Sequence, residues 1–185
     1  MQRSTRLLCS ALNAIVSVLV VTIAPAAVAQ EKFKYSFQNP PDISSVYKET
    51  HNIEVGDMPG HIVRVSSLQT VYPNPGPAPS YAGVRVKEAN TVLHSDLRNG
   101  SGVTAGYIVS TLENGDKIFM EANIMLHAAP GDDGKPTIRV TQTSVITGGT
   151  GKFKGIRGVL RATSTTDLKT ASRGALTEGE YYLLD

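Results

Sequence analysis

Thr147-Gly148-Gly149-Thr150-Gly151-Lys152-Phe153-Lys154-Gly155-Ile156-Arg157-Gly158 is the most distinctive stretch of the chain, and its reading decides the fold. So many glycines suggest a phosphate-binding loop, but both common patterns fail on spacing. A Walker loop ending at Gly151-Lys152 needs glycine where Ile146 stands and a hydroxyl where Phe153 stands. A dinucleotide fingerprint starting at Gly149 needs glycine where Lys154 stands, and no helical pattern follows to lend its dipole. A structural reading fits instead. Gly148, Gly149 and Gly151 suit a sharp reversal with positive φ, Phe153 suits a plug at the end of a barrel, and Gly155 and Gly158 suit a bulge or a close strand approach.

On both sides of this joint, segments rich in valine, isoleucine, threonine and tyrosine alternate with glycine, proline and asparagine clusters. No window longer than a turn or two keeps a helical period. Strands are expected over 33–37, 46–55, 61–71, 81–97 with a break, 103–112, 117–127, 137–147, 159–166 and 180–184. Short connections make them antiparallel and favour a barrel or a sandwich, since parallel strands need crossover helices. Pro73-Asn74-Pro75-Gly76-Pro77-Ala78-Pro79 lacks the donors of a ladder strand and reads as a stiff surface connection. Asn99-Gly100-Ser101 matches a glycosylation acceptor but makes an equally good turn, and Asp132-Asp133-Gly134 reads as a hairpin turn.

The hairpin over 103–127 carries the sharpest register expectation, because Asn114-Gly115 favours a two-residue type I′ turn. If Glu113 faces Asp116, Val109 lies opposite Met120, Tyr107 opposite Ala122 and Ala105 opposite Ile124, which makes one face apolar and buried. The other face then carries Glu121, Asn123 and His127, either solvated or lining a polar site.

Residues 1–29 read as a processing signal: Arg3 and Arg6 precede an apolar run, and Ala27-Val28-Ala29 offers a cleavage site. The domain then spans 30–185, and the protein is secreted or periplasmic, with no stable membrane span after cleavage. Cys9 falls inside the leader, so the remainder has no thiol for a disulfide, a nucleophile or a metal. Without Arg3 and Arg6 the 18 basic residues fall to 16, matching the 16 acidic ones, and no nucleic-acid footprint is left.

With these residues in place, the run Gly148 to Gly158, followed by Val159-Leu160-Arg161-Ala162-Thr163, resembles the signature of the allene oxide cyclase and dirigent barrel superfamily, including its secreted bacterial members. The Asn114-Gly115-Asp116 hairpin and the turn from Val55 to His61 agree with it. The resemblance implies an all-β fold, an eight-stranded antiparallel β-barrel of calycin-like form with a lumen for a small apolar molecule, often assembled as a trimer. It also implies chemistry without metal or organic cofactor. Plant dirigents carry an arginine–glutamate pair where this chain has Gln142 and Thr143.

Other constellations are weaker. His51, His61, His94 and His127 lack zinc spacing, and no nucleophile elbow surrounds Ser110, Ser144 or Ser164. Asp57 and His61 flank a Pro-Gly turn where they could meet as an acid and its partner. The expected function is an exported barrel that binds or steers a small, mostly apolar molecule, with Tyr107, Val109, Met120 and Ile124 as lining or interface residues, and with a homo-oligomer, trimer or dimer, as a possible assembly. The alternatives are a cofactor-free isomerase or cyclase using Glu121, Asn123 and His127, or a structural envelope protein without ligand. The direction of Glu121 separates the first two.

Overall fold

The computed structural model describes residues 31–40, 43, 45–130, 136–167 and 174–184, without the side chains of 136, 166 and 167. The expected leader and the Asp132-Asp133-Gly134 turn lie outside the described residues.

The chain forms β1 (Lys32–Gln38), β2 (Ser45–Glu54), β3 (His61–Val71), β4 (Ser80–Tyr81), β5 (Val84–Arg98), β6 (Ser101–Leu112), β7 (Lys117–Pro130), β8 (Pro136–Gly149), β9 (Ile156–Asp167) and β10 (Leu176–Leu183). All pairings are antiparallel, in the order β1-β10-β9-β8-β7-β6-β5-β3-β2, with β4 added to β5. The architecture is all-β, as expected, but the count is ten strands rather than eight. Nor is the sheet closed, because among the described residues no ladder joins β1 to β2. One of the two additional strands arises at the expected break, where Ala82-Gly83, both at positive φ, turn β4 onto β5.

The connection leaving β3 occupies the place of the missing ladder. Tyr72 packs edge-on to Phe37 of β1 with centroids 6.2 Å apart, and Tyr81 stacks on Tyr35 at 5.2 Å. The Ala82 N–H donates to the Tyr181 hydroxyl of β10 at 2.6 Å. These contacts therefore tie the β1 edge and β10 to β4 and to the connection leaving β3. The proline-rich connection is a surface loop, pinned by the Arg85 guanidinium to the carbonyls of Pro73 and Gly76.

The glycine-rich joint is a strand reversal containing one 3₁₀ turn, Gly151–Phe153. Phe153 is fully buried at the end of the sheet and packs with Ile118, Ile146 and Ile156, which makes it the expected plug. Of the first three glycines only Gly151 has positive φ, +52°, and a Cβ there would collide with the Asp116 carboxylate. Gly158 serves close approach, since a Cβ would strike Tyr181 across the β9–β10 pair.

The 103–127 hairpin forms, but one residue out of the expected register. Val109 pairs with Phe119, Ile108 with Met120 and Tyr107 with Glu121. Only Gly115 has positive φ, at +86°, and the Leu112 N–H donates to the Asp116 carbonyl at 2.8 Å. The loop is therefore three residues long with glycine in the left-handed position, rather than a type I′ turn. The type I′ pair is Asn99-Gly100, at φ +50° and +80° between β5 and β6. A one-residue slip exchanges the faces of a strand.

Candidate functional site

The inward face converges on a cavity of about 210 Å³ lined by side chains from all ten strands. One face of a flat sheet cannot enclose a common space, so this lining follows from the curl. Its deep end is apolar, with Tyr81, Val86, Met120 and Leu160 all buried. Toward Asn39 the lining turns polar, through Ser45, Thr70, Gln142 and Thr177.

No described lining residue is an aspartate, glutamate, lysine, arginine or histidine. The titratable groups present are tyrosines. Burial pushes the Tyr72 hydroxyl up to about 12, and burial likewise raises Tyr35 and Tyr81 above the usual tyrosine value. All three therefore stay neutral at ordinary pH. Several polar groups satisfy one another: Ser45 and Thr70 hydroxyls lie 2.7 Å apart, and Gln142 Nε2 donates to Ser144 Oγ at 2.8 Å. Such a space can hold a neutral molecule and orient it by hydrogen bonds, but its described residues offer no carboxylate or imidazole for proton transfer.

The register settles where the expected site residues lie. Met120 lines the cavity. Ile124 shares its inward parity, pairs with buried Thr104 and sits half-buried beyond the cavity. Tyr107 and Val109 face outward, Tyr107 being 61% exposed, which corrects their placement on a buried face. Glu121, Asn123 and His127 are likewise exposed on the outer face, so none turns inward. The longer loop at Glu113-Asn114-Gly115 is what moves Tyr107 and Val109 outward. The residues missed were Tyr35, Tyr72, Tyr81 and Asn39. A signal for Tyr35 was present, since Phe33, Tyr35 and Phe37 alternate with Lys34 and Ser36 as an aromatic inner stripe.

No family model matches this chain, and no curated protein matches it. Among solved structures it is similar to the pterocarpan synthase dirigent protein, at 13% identity over 91% of this chain and all of that one, with a TM-score of 0.48.

A second polar cluster lies away from the cavity. Asp57 and His61 do meet: His61 Nδ1 is 2.5 Å from Asp57 Oδ1, and Nε2 is 3.0 Å from Asp96 Oδ1. The ring is buried while both carboxylates are about half exposed. Both contacts are hydrogen bonds only when the ring carries both protons, because an ionised carboxylate only accepts. The hydrogen bond from His61 holds the Asp57 carboxyl below its usual value. Arg98 approaches Asp96 at 3.2 Å. The cluster ties the Asp57 to His61 turn to β5 and contains no lining residue of the cavity.

Proposed function

We propose that this chain is an exported protein that binds or steers a small, neutral, mostly apolar molecule in the cavity of its curled sheet. One observation carries the reading: a lining drawn from every strand contains apolar and hydroxyl or amide side chains and, among the described residues, no charged group. A charged ligand taken from water into that space would meet no counter-charge and would lose several kcal/mol of hydration, of the order known for buried unpaired ions. A neutral ligand loses little and gains by apolar burial at about 25 cal/mol per Å². Selectivity for neutral molecules therefore follows from the lining itself.

The cyclase alternative rested on Glu121, Asn123 and His127 acting inward, and their exposure removes the observation that favoured it. Steering without general acid–base chemistry stays within the reading, since confinement alone fixes the relative orientation of reacting atoms.

Heteronuclear NMR titration with benzofuran and with benzoate tests the proposal. Benzofuran should shift the amides of Ala89, Ser144 and Leu160, and benzoate should leave them in place. Benzofuran shifts confined to outer-face amides, or none, would overturn it and favour a protein without an internal ligand.

A further inference from the structure

The cavity contains one polar atom that its surroundings leave unsatisfied. Asn39 follows β1 and lines the cavity, and its Oδ1 is buried with no hydrogen-bond partner among the described residues. Two other groups of the residue are engaged. The Asn39 backbone N–H donates to the Ala175 carbonyl at 2.8 Å, and Nδ2 donates to the Ile43 carbonyl at 3.2 Å. The second bond fixes the amide orientation, since flipping it would set two carbonyl oxygens against each other. Oδ1 is thus a fixed acceptor that cannot rotate away or change role.

Of the two amide oxygens in the lining, Gln142 Oε1 and Asn39 Oδ1, only the second is buried without a partner among the described residues, and the hydroxyls differ in kind from both. The hydroxyls of Ser45, Thr70, Thr91, Ser110 and Thr177 both donate and accept, so they adapt to whatever group a ligand presents. Asn39 Oδ1 accepts only. A buried acceptor left without a donor costs free energy that a correctly placed donor recovers.

We propose that Asn39 Oδ1 is the recognition point for a hydrogen-bond donor, a hydroxyl or an N–H, on the neutral ligand. This rests on the cavity being the binding site, and it narrows the ligand class from neutral and apolar to neutral and apolar with one donor at its edge. Apolar molecules of the same shape that carry only an acceptor bind less well, because a carbonyl-type oxygen facing them repels their lone pairs.

Indole and benzofuran form the test pair, being nearly isosteric with an N–H in one and an oxygen in the other. Affinities for the wild-type protein, measured by NMR titration at the cavity amides, should favour indole by about fivefold, the value of one ordinary hydrogen bond. Asn39→Ala should remove the preference, lowering the affinity for indole relative to benzofuran by about fivefold. Equal wild-type affinities, or a preference that survives in Asn39→Ala, would overturn the inference and leave the binding reading intact. Failure of both probes to reach the cavity would overturn the two together. The wild-type comparison needs no variant, so it stands even where Asn39→Ala loosens the turn after β1.

Discussion

Tyr35, Tyr72 and Tyr81 place three hydroxyls in a space without formal charge, and that placement makes alkaline stability their signature. Their folded values lie above the unfolded value of about 10. Below that pH their contribution is fully present. Above it the unfolded chain releases protons that the folded chain keeps, so stability falls as pH rises. Thermal melts over pH values of about 9 to 12 should therefore show a steep decline that is shallower in Tyr72→Phe. Parallel curves for the two proteins would contradict a buried neutral Tyr72. Asp57 works with the opposite sign: the His61 hydrogen bond depresses its folded value, so its stabilisation is present above the unfolded value of about 3.9 and is lost as pH falls below it. The melting difference between wild type and Asp57→Asn should close on acidification through that range. A difference that persists in strong acid would show that the carboxylate charge is not what holds the turn.

Two glycines separate backbone cost from packing cost at the scale of strands and turns. Gly115 sits at φ +86° with nothing near the position of a Cβ, so Gly115→Ala should cost only the left-handed backbone penalty of about 1–2 kcal/mol. Gly151→Ala should cost more, because the methyl also displaces the Asp116 carboxylate that accepts from Asn114 Nδ2 at 2.8 Å. Denaturant unfolding of the two variants measures the gap, and equal losses would mean that Asp116 yields freely. The same loop shows what the sequence could and could not disclose. Strand positions were legible because alternation and turn residues are local, and each expected segment overlaps an observed strand. Register was not, because Asn-Gly suits both a two-residue and a three-residue loop, and the chain uses the first at Asn99-Gly100 and the second at Asn114-Gly115. What distinguishes them is distant in sequence: Glu113 Oε1 accepts from Arg85 at 2.8 Å and from Asn74 at 2.9 Å, which holds Glu113 in the loop. That single step moved Tyr107 to the outer face, where it pairs with Glu121. Met120 was legible as an inward residue, whereas Asn39 lies in a turn that carries no period at all.

Over the whole molecule, the outer face breaks the alternation that an antiparallel sheet exposed to water normally keeps. Val92, Tyr107, Val145 and Val159 lie in one cross-strand row, interrupted by Glu121, and Val63, Val103 and Met125 lie in another, interrupted by Asp96. All seven apolar residues are exposed, Met125 by 63% and Val103 by 59%. Between the rows runs a groove bordered by His94, Ala105 and Asn123. Soluble monomers seldom expose contiguous apolar patches above a few hundred Å², and a sheet face is suited to stack on a like face with the strands nearly aligned. A second copy of the chain would supply such a face, and a self-complementary contact would close without further partners. Light scattering after gel filtration should therefore give a mass that is a multiple of one chain. Because Tyr107 and Met125 do not line the inner cavity, Tyr107→Glu with Met125→Lys should yield monomers that still take up benzofuran. A wild-type monomer, or an unchanged mass in the double variant, would refute self-association through this face. Loss of benzofuran uptake on dissociation would show instead that the cavity keeps its shape only when the outer wall is supported by its neighbour.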